Sequence, residues 1–351
     1  MAKIAVIPGD GIGREVIQEA YKVLETIRDT GIELGWDEFD YCAEKYLQTG
    51  ITLPEKEIEN FRDNYDAILI GALGDPRVPD MKHEVDILLG CRFKLDLFIN
   101  WLPVRLLHEK LCPIKNKSPE DVNFVVFREN TEGVYTGTGG YLKKGTTDEV
   151  AIQTSINTYK GVERIIRHAF EYAREHHLPT ITMSNKSNTM RYEGDLWDRV
   201  FKQINDEYPE IQGNHLYIEI LLMEMVSKPE QFDVIVTCNM LGDIVTHMGA
   251  QLIGGKGLAG VANVNPGKVS LFQPICDPAP KSVGKDIANP IAAILTVGIM
   301  MQHLGYPEWV TRIEKAVVRA FREKNVTRDI GGNLGTQATG SVICRYLRDQ
   351  V

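Results

Sequence analysis

The chain has 351 residues, of which 43% are hydrophobic and 25% charged, a balance typical of a globular protein large enough to bury one or two cores. Its formal net charge of −9 excludes a nucleic-acid partner, because such a partner requires clustered Lys and Arg. The longest apolar run, residues 288–301, is shorter than the roughly 20 residues of a membrane span, and the six cysteines are scattered without a CxxC pair. We therefore expect no membrane partner and a cytoplasmic protein with reduced thiols.

Strand-like and helix-like segments alternate along the first part of the chain. The predicted order is a strand in "KIAVIP", a helix in "REVIQEAYKVLETI", a strand in "YDAILIGALG" and a helix in "EVDILLGCRFKLDLF". A second series follows, with strands in "VNFVVF", "TITMS" and "FDVIVTC" and helices in "GVERIIRHAFEYAREHH", "DLWDRVFKQINDEY" and "YIEILLMEMV". Three helices near 288–304, 308–324 and 336–348 end the chain. This alternation indicates an α/β fold with a parallel sheet.

Residues 136–160 interrupt the alternation. They begin with several glycines and continue with alternating β-branched residues, a pattern that predicts a hairpin-type arm. Such an arm is able to pair with a second subunit.

Residues 5–16, "AVIPGDGIGREV", join the first strand to the first helix through a glycine-rich turn. A dinucleotide fingerprint requires G-x-G-x-x-G, but the glycines alternate from Gly9 to Gly13 and the third required position is Arg14. The turn is therefore not that fingerprint. It is compatible with a plain tight turn or with close approach of a ligand to the backbone, and we expect Asp10 to cap the following helix.

Five ordered motifs carry a resemblance that covers nearly the whole chain. They are "PGDGIGREV", "RENTEGVYTG" at 128–137, "NKSN" at 185–188, "NMLGDI" at 239–244 and "GKDIANPIAAIL" at 284–295. Together they resemble the metal-dependent β-decarboxylating dehydrogenases, which include isopropylmalate, isocitrate, homoisocitrate and tartrate/D-malate dehydrogenases. "NKSN" and "DEVAIQTSINTYKGVERI" are most similar to the tartrate/D-malate branch.

The resemblance implies an α/β, two-domain isopropylmalate/isocitrate dehydrogenase-like fold that is not a Rossmann fold. The larger, cofactor-side domain is expected to contain residues 1–98 and 253–351, and the smaller domain residues 99–252. In that family the smaller domain forms the interface of a homodimer, the arm near 136–160 acts as a clasp, and both subunits contribute to each active site.

Two residues match the acid/base pair of the family. Tyr135 stands at the position of the acid that protonates the enol left by decarboxylation, and Lys186 at that of the base that takes the hydroxyl proton. The family takes this lysine from the partner subunit. Without the resemblance, a packed tyrosine and a surface lysine are the simpler interpretation.

Substrate recognition is expected to rest on arginines. Arg92 and Arg128 match two of the three family arginines that bind the carboxylates of malate, although structural salt bridges are the alternative. The third falls at Leu102, so either the substrate has one fewer anionic group or an apolar group there, or Arg105 substitutes. The group on C3 is expected to be recognised in a mainly apolar pocket by three residues, Asp86, Leu88 and Leu89.

The metal positions of the family, three aspartates, are altered. They fall at Asp243, His247 and Glu219, and the spacing of the first two places them on one helical face. An imidazole shifts the preference from Mg²⁺ towards Mn²⁺ or a softer transition metal, and loss of metal binding or a merely solvated helix face is the alternative.

The cofactor loop, "QPICDPAPKSVGKDIANP", differs most from the family. Gln273 stands where the family has an acidic residue. Cys276 stands where the family has the histidine that contacts adenine, and residues 277–278 stand where it has the Gly-Ser pair that follows. Cys276 is interpreted as a small buried replacement. Lys281 stands where an aspartate binds the ribose, which favours NADP over NAD unless Lys281 is a solvated loop residue. Further expected cofactor positions are Ile12, Asn188, Gly284 and Asn289.

The sequence thus predicts an enzyme that uses NADP or NAD and a divalent ion, Mn²⁺ or Mg²⁺, to oxidise a malate-like 2-hydroxy acid. Candidate substrates are D-malate, tartrate and a 3-substituted malate, with oxidative decarboxylation expected. The alternatives are a non-catalytic regulatory homologue that only binds a ligand, and an enzyme of secondary metabolism with an unusual substrate.

Overall fold

The structure, a computed structural model, describes residues 1–350. Its strands are β1 (Ala2–Ile7), β2 (Leu34–Glu38), β3 (Ala67–Ile70), β4 (Ile99–Arg105), β5 (Asn123–Glu129), β6 (Gly139–Leu142), β7 (Val150–Gln153), β8 (Thr180–Asn185), β9 (Gln212–Tyr217), β10 (Val234–Thr237), β11 (Gly260–Val264) and β12 (Ser270–Pro274). Its helices are α1 (Gly13–Arg28), α2 (Ala43–Thr49), α3 (Glu55–Asn64), α4 (Lys82–Glu84), α5 (Gly90–Lys94), α6 (Tyr159–Glu175), α7 (Arg191–Asn205), α8 (Ile218–Ser227), α9 (Asn239–Leu252), α10 (Ile291–His303), α11 (Glu308–Arg322) and α12 (Thr336–Arg348).

The chain divides into two compact units. Unit 1 contains Met1–Leu97, Arg105–Pro119 and the chain from Ala250 onward, and unit 2 contains Phe98–Val104 and Glu120–Gly249. The domain bounds expected from the resemblance, 1–98 plus 253–351 and 99–252, stay a prediction about how the enzyme is organised. The two units are described separately below.

Unit 1 is built on strands in the order β2-β1-β3-β12-β11, in which all pairs are parallel except the last. Every residue of β3 is buried, as expected for a parallel strand covered on both faces. Apolar side chains of β1 and β3 pack against the helical run 82–94, which buries Ile87 and Cys91 in the same cluster. The run is thereby held against the sheet next to the glycine turn.

Unit 2 has strands in the order β4-β5-β10-β8-β9, with β5, β10, β8 and β9 parallel. Helices α6 and α7 bury Phe170 and Trp197. The predicted arm is confirmed as an antiparallel hairpin in which Gly139 on β6 faces Gln153 on β7. The parallel order means that the chain segments after these four strands begin at the same edge of the sheet.

The helix predicted in residues 84–98 is confirmed over 84–94, with two differences. A wide π-type turn at Val85–Leu89 separates α4 from α5, and α5 ends at Lys94. Asp96 has a left-handed φ of 51°, and the Leu97 amide donates to the Arg92 carbonyl at 2.8 Å, which closes the helix end. The three C-terminal helices are confirmed as α10, α11 and α12.

None of the helices in residues 1–350 combines the length and the apolar character that a membrane span requires.

Burial in unit 2 generates a pH-dependent contribution to stability. His168 on α6 lies edge-on to Phe127 on β5, with 5.0 Å between ring centroids, and burial lowers its pKa from 6.5 to about 4. The folded state therefore binds fewer protons than the unfolded state between these values. The contribution of His168 to the free energy of unfolding is fully present above pH 6.5. It decreases by up to about 2–3 kcal/mol as the pH falls towards 4.

We expect the variant His168→Phe to lose less stability between pH 7 and pH 5 than the wild type, as measured by urea denaturation. His176→Gln, at an exposed histidine after the same helix, is the matched control and keeps the wild-type pH dependence. An equal pH dependence in His168→Phe and wild type would contradict this account.

Candidate active site

Four candidate polar side chains of unit 2 lie where its parallel strands end. Arg128 is the penultimate residue of β5, Lys186 follows β8, Glu219 follows β9, and Asp243 lies in the helix after β10. These four strands are neighbours in the sheet, so these residues belong to chain segments at one edge. In open α/β sheets this carboxyl edge is where ligands bind.

Arg128 is the centre of the most ordered polar network at this edge. It is only 4% exposed, and its Nη1 donates to Asp243 Oδ1 at 2.6 Å. Its Nε and Nη2 both donate to Asn239 Oδ1, at 3.0 and 2.8 Å. A buried guanidinium requires such partners, because an unpaired buried charge is strongly destabilising.

Two neighbours shape the surroundings of this arginine. A Cβ on Gly242 would lie 2.5 Å from Arg128 Cγ, so only glycine lets the side chain pass α9. The ring of Tyr135, in the short turn Val134–Thr136, lies 5.2 Å from the guanidinium carbon. A predicted carboxylate-binding residue and the predicted acid are therefore adjacent.

Lys186 and Glu219 form an ion pair through Lys186 Nζ and Glu219 Oε1. The hydrogen bond from Lys186 holds the pKa of Glu219 below its usual value. The predicted base and one predicted metal ligand are thus placed together, whereas the carboxylate of Asp243 is bound by Arg128 instead. Asn188, two residues beyond Lys186, is exposed.

The remaining predicted metal ligand, His247, is exposed on α9. Its Nδ1 lies 2.8 Å from the backbone oxygen of Asp243, which directs Nε2 away from the helix axis. Within residues 1–350 of one chain, no three His, Cys, Asp or Glu side chains come close enough to hold a metal ion. Asp243, His247 and Glu219 do not form such a group in this chain as described.

Leu102 does not present a surface to a ligand. The Leu102 side chain on β4 has 0% exposure. It packs so close to α9 that a Cβ added at Gly249 would lie 3.6 Å from Leu102 Cδ2. Arg105, the possible substitute for the missing arginine, instead pairs with Glu314 at 3.0 Å. The structure thus gives no replacement for the third family arginine at either position.

The glycine turn of unit 1 is packed against the protein's own backbone. A Cβ on Gly9 would lie 2.1 Å from the Ala72 oxygen, and one on Gly11 would lie 1.9 Å from the Pro278 oxygen. The Ile12 amide donates to the Pro278 carbonyl at 2.8 Å. These glycines allow the turn to pack closely against neighbouring loops. This packing role does not require the spacing of the dinucleotide fingerprint.

The expectation that Asp10 caps α1 is wrong. The residue before α1 is Ile12, and no side chain caps this helix. The carboxylate of Asp10 turns instead towards other segments, where it accepts from the amides of Ala43 at 2.7 Å and Gly74 at 2.8 Å.

The altered cofactor loop is fixed at several points. Lys256 contacts both carboxylate oxygens of Asp277 at 3.2 Å, and the amide of Gly284 donates to Glu15 Oε1 at 2.7 Å. Cys276 is partly exposed, and desolvation of its thiol raises the pKa to about 12. Lys281 lies in the turn Pro280–Ser282 and is exposed.

Asn289 is held by the protein on both sides of its amide. Nδ2 donates to Asp329 at 2.9 Å, and Oδ1 accepts from the Ile291 amide at 3.0 Å. The amide keeps a second N–H and a second oxygen lone pair, so a cofactor contact is compatible with both bonds.

The predicted substrate residues of unit 1 lie on the helical run 82–94. Asp86 Oδ2 accepts from Thr52 and Lys82, each at 2.8 Å, and these bonds lower its pKa although partial burial acts to raise it. Leu88 packs against the apolar cluster and Leu89 is partly exposed. Arg92 is buried on α5.

Sequence reasoning missed two polar residues at these edges. Asn239 binds Arg128 and also donates to the Glu132 carbonyl at 2.9 Å. Its position at the start of the motif "NMLGDI" is the sequence feature that could have identified it. Glu84 is partly buried, which raises the pKa of its carboxyl. Perturbed carboxyl groups cluster at functional sites, but burial of Glu84 is not visible in sequence.

Comparison with known proteins agrees with this geometry. The family model described as isocitrate/isopropylmalate dehydrogenase matches residues 3–344. The chain belongs to the isocitrate/isopropylmalate dehydrogenase family. It is 41% identical to 3-isopropylmalate dehydrogenase of Thermobifida fusca over 99% of this chain and 98% of that protein. It is 42% identical to 3-isopropylmalate dehydrogenase of Corynebacterium jeikeium over 99% of this chain and 100% of that protein.

Solved structures of this family have the same fold. Isocitrate dehydrogenase from Methylococcus capsulatus superposes with a TM-score of 0.89 at 32% identity, over 99% of this chain and 100% of that one. The TT0538 protein from Thermus thermophilus gives a TM-score of 0.87 at 32% identity, over 98% of this chain and 68% of that one. The predicted α/β fold of the isocitrate/isopropylmalate dehydrogenases, distinct from a Rossmann fold, is confirmed.

Membership identifies the chain as an oxidoreductase of the decarboxylating dehydrogenase class, a family of NAD-dependent enzymes that use Mg²⁺ or Mn²⁺ and small hydroxy acids. The relatives above are named 3-isopropylmalate dehydrogenase. The expected similarity to the tartrate/D-malate branch stays a prediction.

Proposed function

We propose that the protein catalyses the NADP- or NAD-dependent oxidative decarboxylation of a malate-like 2-hydroxy acid with a predominantly apolar substituent on C3. The observation that carries this proposal is the network of Arg128, Asp243 and Tyr135 at the carboxyl edge of unit 2. In this network Arg128 is a buried cation able to bind a substrate carboxylate, Asp243 is a carboxylate able to bind a metal ion, and Tyr135 is the acid. D-malate and tartrate are the unsubstituted and hydroxylated members of the same class.

The protein side chains move two protons in this reaction. Lys186 takes the proton of the C2 hydroxyl, and a bound NADP or NAD would supply the oxidant that accepts hydride from C2. The bond from C3 to its carboxylate then breaks, CO₂ is released, and the electron pair forms an enolate that Tyr135 protonates at C3. Arg128 and Arg92 bind the carboxylates of the acid.

The residues present fit a divalent cation. Asp243 offers its second carboxylate oxygen and His247 its Nε2 on the same face of α9, and we propose that Glu219 of a second copy completes the set. A mixed carboxylate and imidazole set suits Mn²⁺ better than Mg²⁺. Such an ion would polarise the oxygen on C2.

Two features support an apolar substituent. Leu88 and Leu89 are the last two residues of the wide turn in the helical run, whereas the nearby Asp86 is already bound by Lys82 and Thr52. Leu102 adds no positive charge. Lys82, a cation on this run, is already paired with Asp86, which disfavours a further anionic group on the substrate, as in isocitrate.

Positive charge near the cofactor loop supports NADP. Lys281 stands at the ribose position, and a cavity of about 300 Å³ in unit 1 is lined in part by Lys285 and Arg328. Cations at such a position stabilise a 2′-phosphate, whereas NAD enzymes use an acidic residue.

An exposed apolar face supports a homodimer. Its side chains come from α8 and α9 of unit 2 and are Ile220, Met223, Val226, Met240 and Ile244. The hairpin arm adds exposed Tyr141 and Ile152. Exposed apolar area of this kind marks an interaction surface, and we propose that a second copy covers it.

We expect the purified protein to reduce NADP⁺ or NAD⁺ with a 3-substituted malate, D-malate or tartrate in the presence of Mn²⁺, and EDTA to abolish this activity. Lys186→Ala is expected to lower kcat by about 10²–10⁴-fold because the proton acceptor is lost. The exposed Lys202→Ala is the control and keeps wild-type kcat. Absence of turnover together with absence of dinucleotide binding would favour the regulatory homologue instead.

Charge reversal tests the cofactor. Lys281→Asp is expected to lower kcat/KM for NADP⁺ by about 10–100-fold, the value of one charge-assisted hydrogen bond, without lowering that for NAD⁺. Lys56→Asp, on exposed α3, makes the same change in net charge and leaves both values unchanged. An equal loss for both dinucleotides would count against a phosphate contact at Lys281.

Subunit complementation tests the shared active site. Homodimers of Lys186→Ala and Tyr135→Phe are each expected to be inactive. If lysine and tyrosine come from different subunits, random heterodimers contain one intact site, and mixing after reversible dissociation restores about a quarter of wild-type activity. Mixtures that stay inactive, although light scattering shows dimers, would refute sharing.

A further inference from the structure

A buried histidine–aspartate pair in unit 1 has no part in the chemistry described above. His83 on α4 has 0% exposure, and its Nε2 lies 2.8 Å from Oδ2 of Asp10 in the glycine turn. The pair joins residues that are 73 positions apart in the chain. It is therefore a tertiary contact between the glycine turn and the helical run 82–94.

The hydrogen bonds of Asp10 favour one arrangement of the imidazole. Asp10 Oδ1 accepts from Ala43 and Oδ2 from Gly74, and an ionised carboxylate, which only accepts, takes its third hydrogen bond from the Nε2–H of His83. His83 Nδ1 is buried without a hydrogen-bond partner among the described residues. The neutral tautomer with hydrogen on Nε2 satisfies this geometry, because a second proton would leave a buried N–H donor unpaired.

The two ends of the pair lead to different parts of the proposed site. On one side, the glycine turn continues into Ile12, whose amide binds the cofactor loop at Pro278. On the other side, the helical run continues through the wide turn Val85–Leu89, which contains Leu88 and Leu89, to Arg92 on α5. Wide turns of this type often occur at functional sites because they change which side chains share a helix face.

We propose that His83 is a positioning residue, whose bond to Asp10 sets the rotation of the helical run 82–94 relative to the glycine turn. This inference rests on the proposed function, since it assigns the run to the hydroxy acid and the turn to the dinucleotide. Rotation of the run moves Leu89 and Arg92 together while leaving the cofactor loop in place. Misplacement by about 1 Å is sufficient to slow a reaction by about 10²-fold.

The test compares His83→Leu, which removes the donor while keeping an apolar side chain, with His83→Gln, whose amide N–H is able to replace Nε2. Dinucleotide titration gives the number of competent sites in each preparation, and kcat is expressed per site. This correction removes a loss of folded protein from the comparison. We expect at least a fivefold lower kcat per site in His83→Leu, with unchanged dinucleotide Kd, and recovery to at least half the wild-type value in His83→Gln.

A smaller decrease in His83→Leu, or the same decrease in His83→Gln, would overturn the proposal. If wild type oxidises none of the acids, the proposed function fails and the linkage is tested separately by hydrogen exchange. In that case, faster exchange in both 9–13 and 82–92 of His83→Leu, but not of His83→Gln, supports the linkage. Unchanged exchange in 9–13 refutes it.

Discussion

Burial of the parallel strands on both faces determines where this protein places its polar groups. All residues of β3 and β10 are buried, so neither strand is able to present a polar side chain to a ligand from its middle. Polar groups must instead lie at or beyond the carboxyl ends of the strands. The glycine turn after β1 and the Arg128 network at the carboxyl ends of β5 and β10 both obey this constraint.

At the edge of unit 2, the cost of burying Arg128 links the residue that we propose binds the substrate to the residue that we propose binds a metal ion. Asn239 satisfies two of its donors and Asp243 a third, while Gly242 leaves room for the side chain. The orientation of Asp243 therefore depends on the same guanidinium that we propose binds a carboxylate. Substitution at either residue is expected to disturb both functions.

In unit 1, the unusual cofactor loop is held by contacts rather than by the residues typical of the family. The bond between Ile12 and Pro278 and the pair of Lys256 with Asp277 fix its course. Asp10 and His83 then connect the same turn to the helical run that follows β3. A loop with several replaced residues thereby keeps a defined position, and Lys281 is presented at the surface.

The sequence alone determined the alternation of strands and helices, the hairpin arm and the family, because periodicity and short motifs are local properties of the chain. It also indicated Arg128, Tyr135, Lys186 and Asp243 through those motifs. Only the tertiary structure decided the partners of these residues: Arg128 meets Asn239 across 111 positions, and Asp10 meets His83 rather than capping α1. Contacts between distant segments depend on how the strands pair and pack, and no local pattern encodes that arrangement.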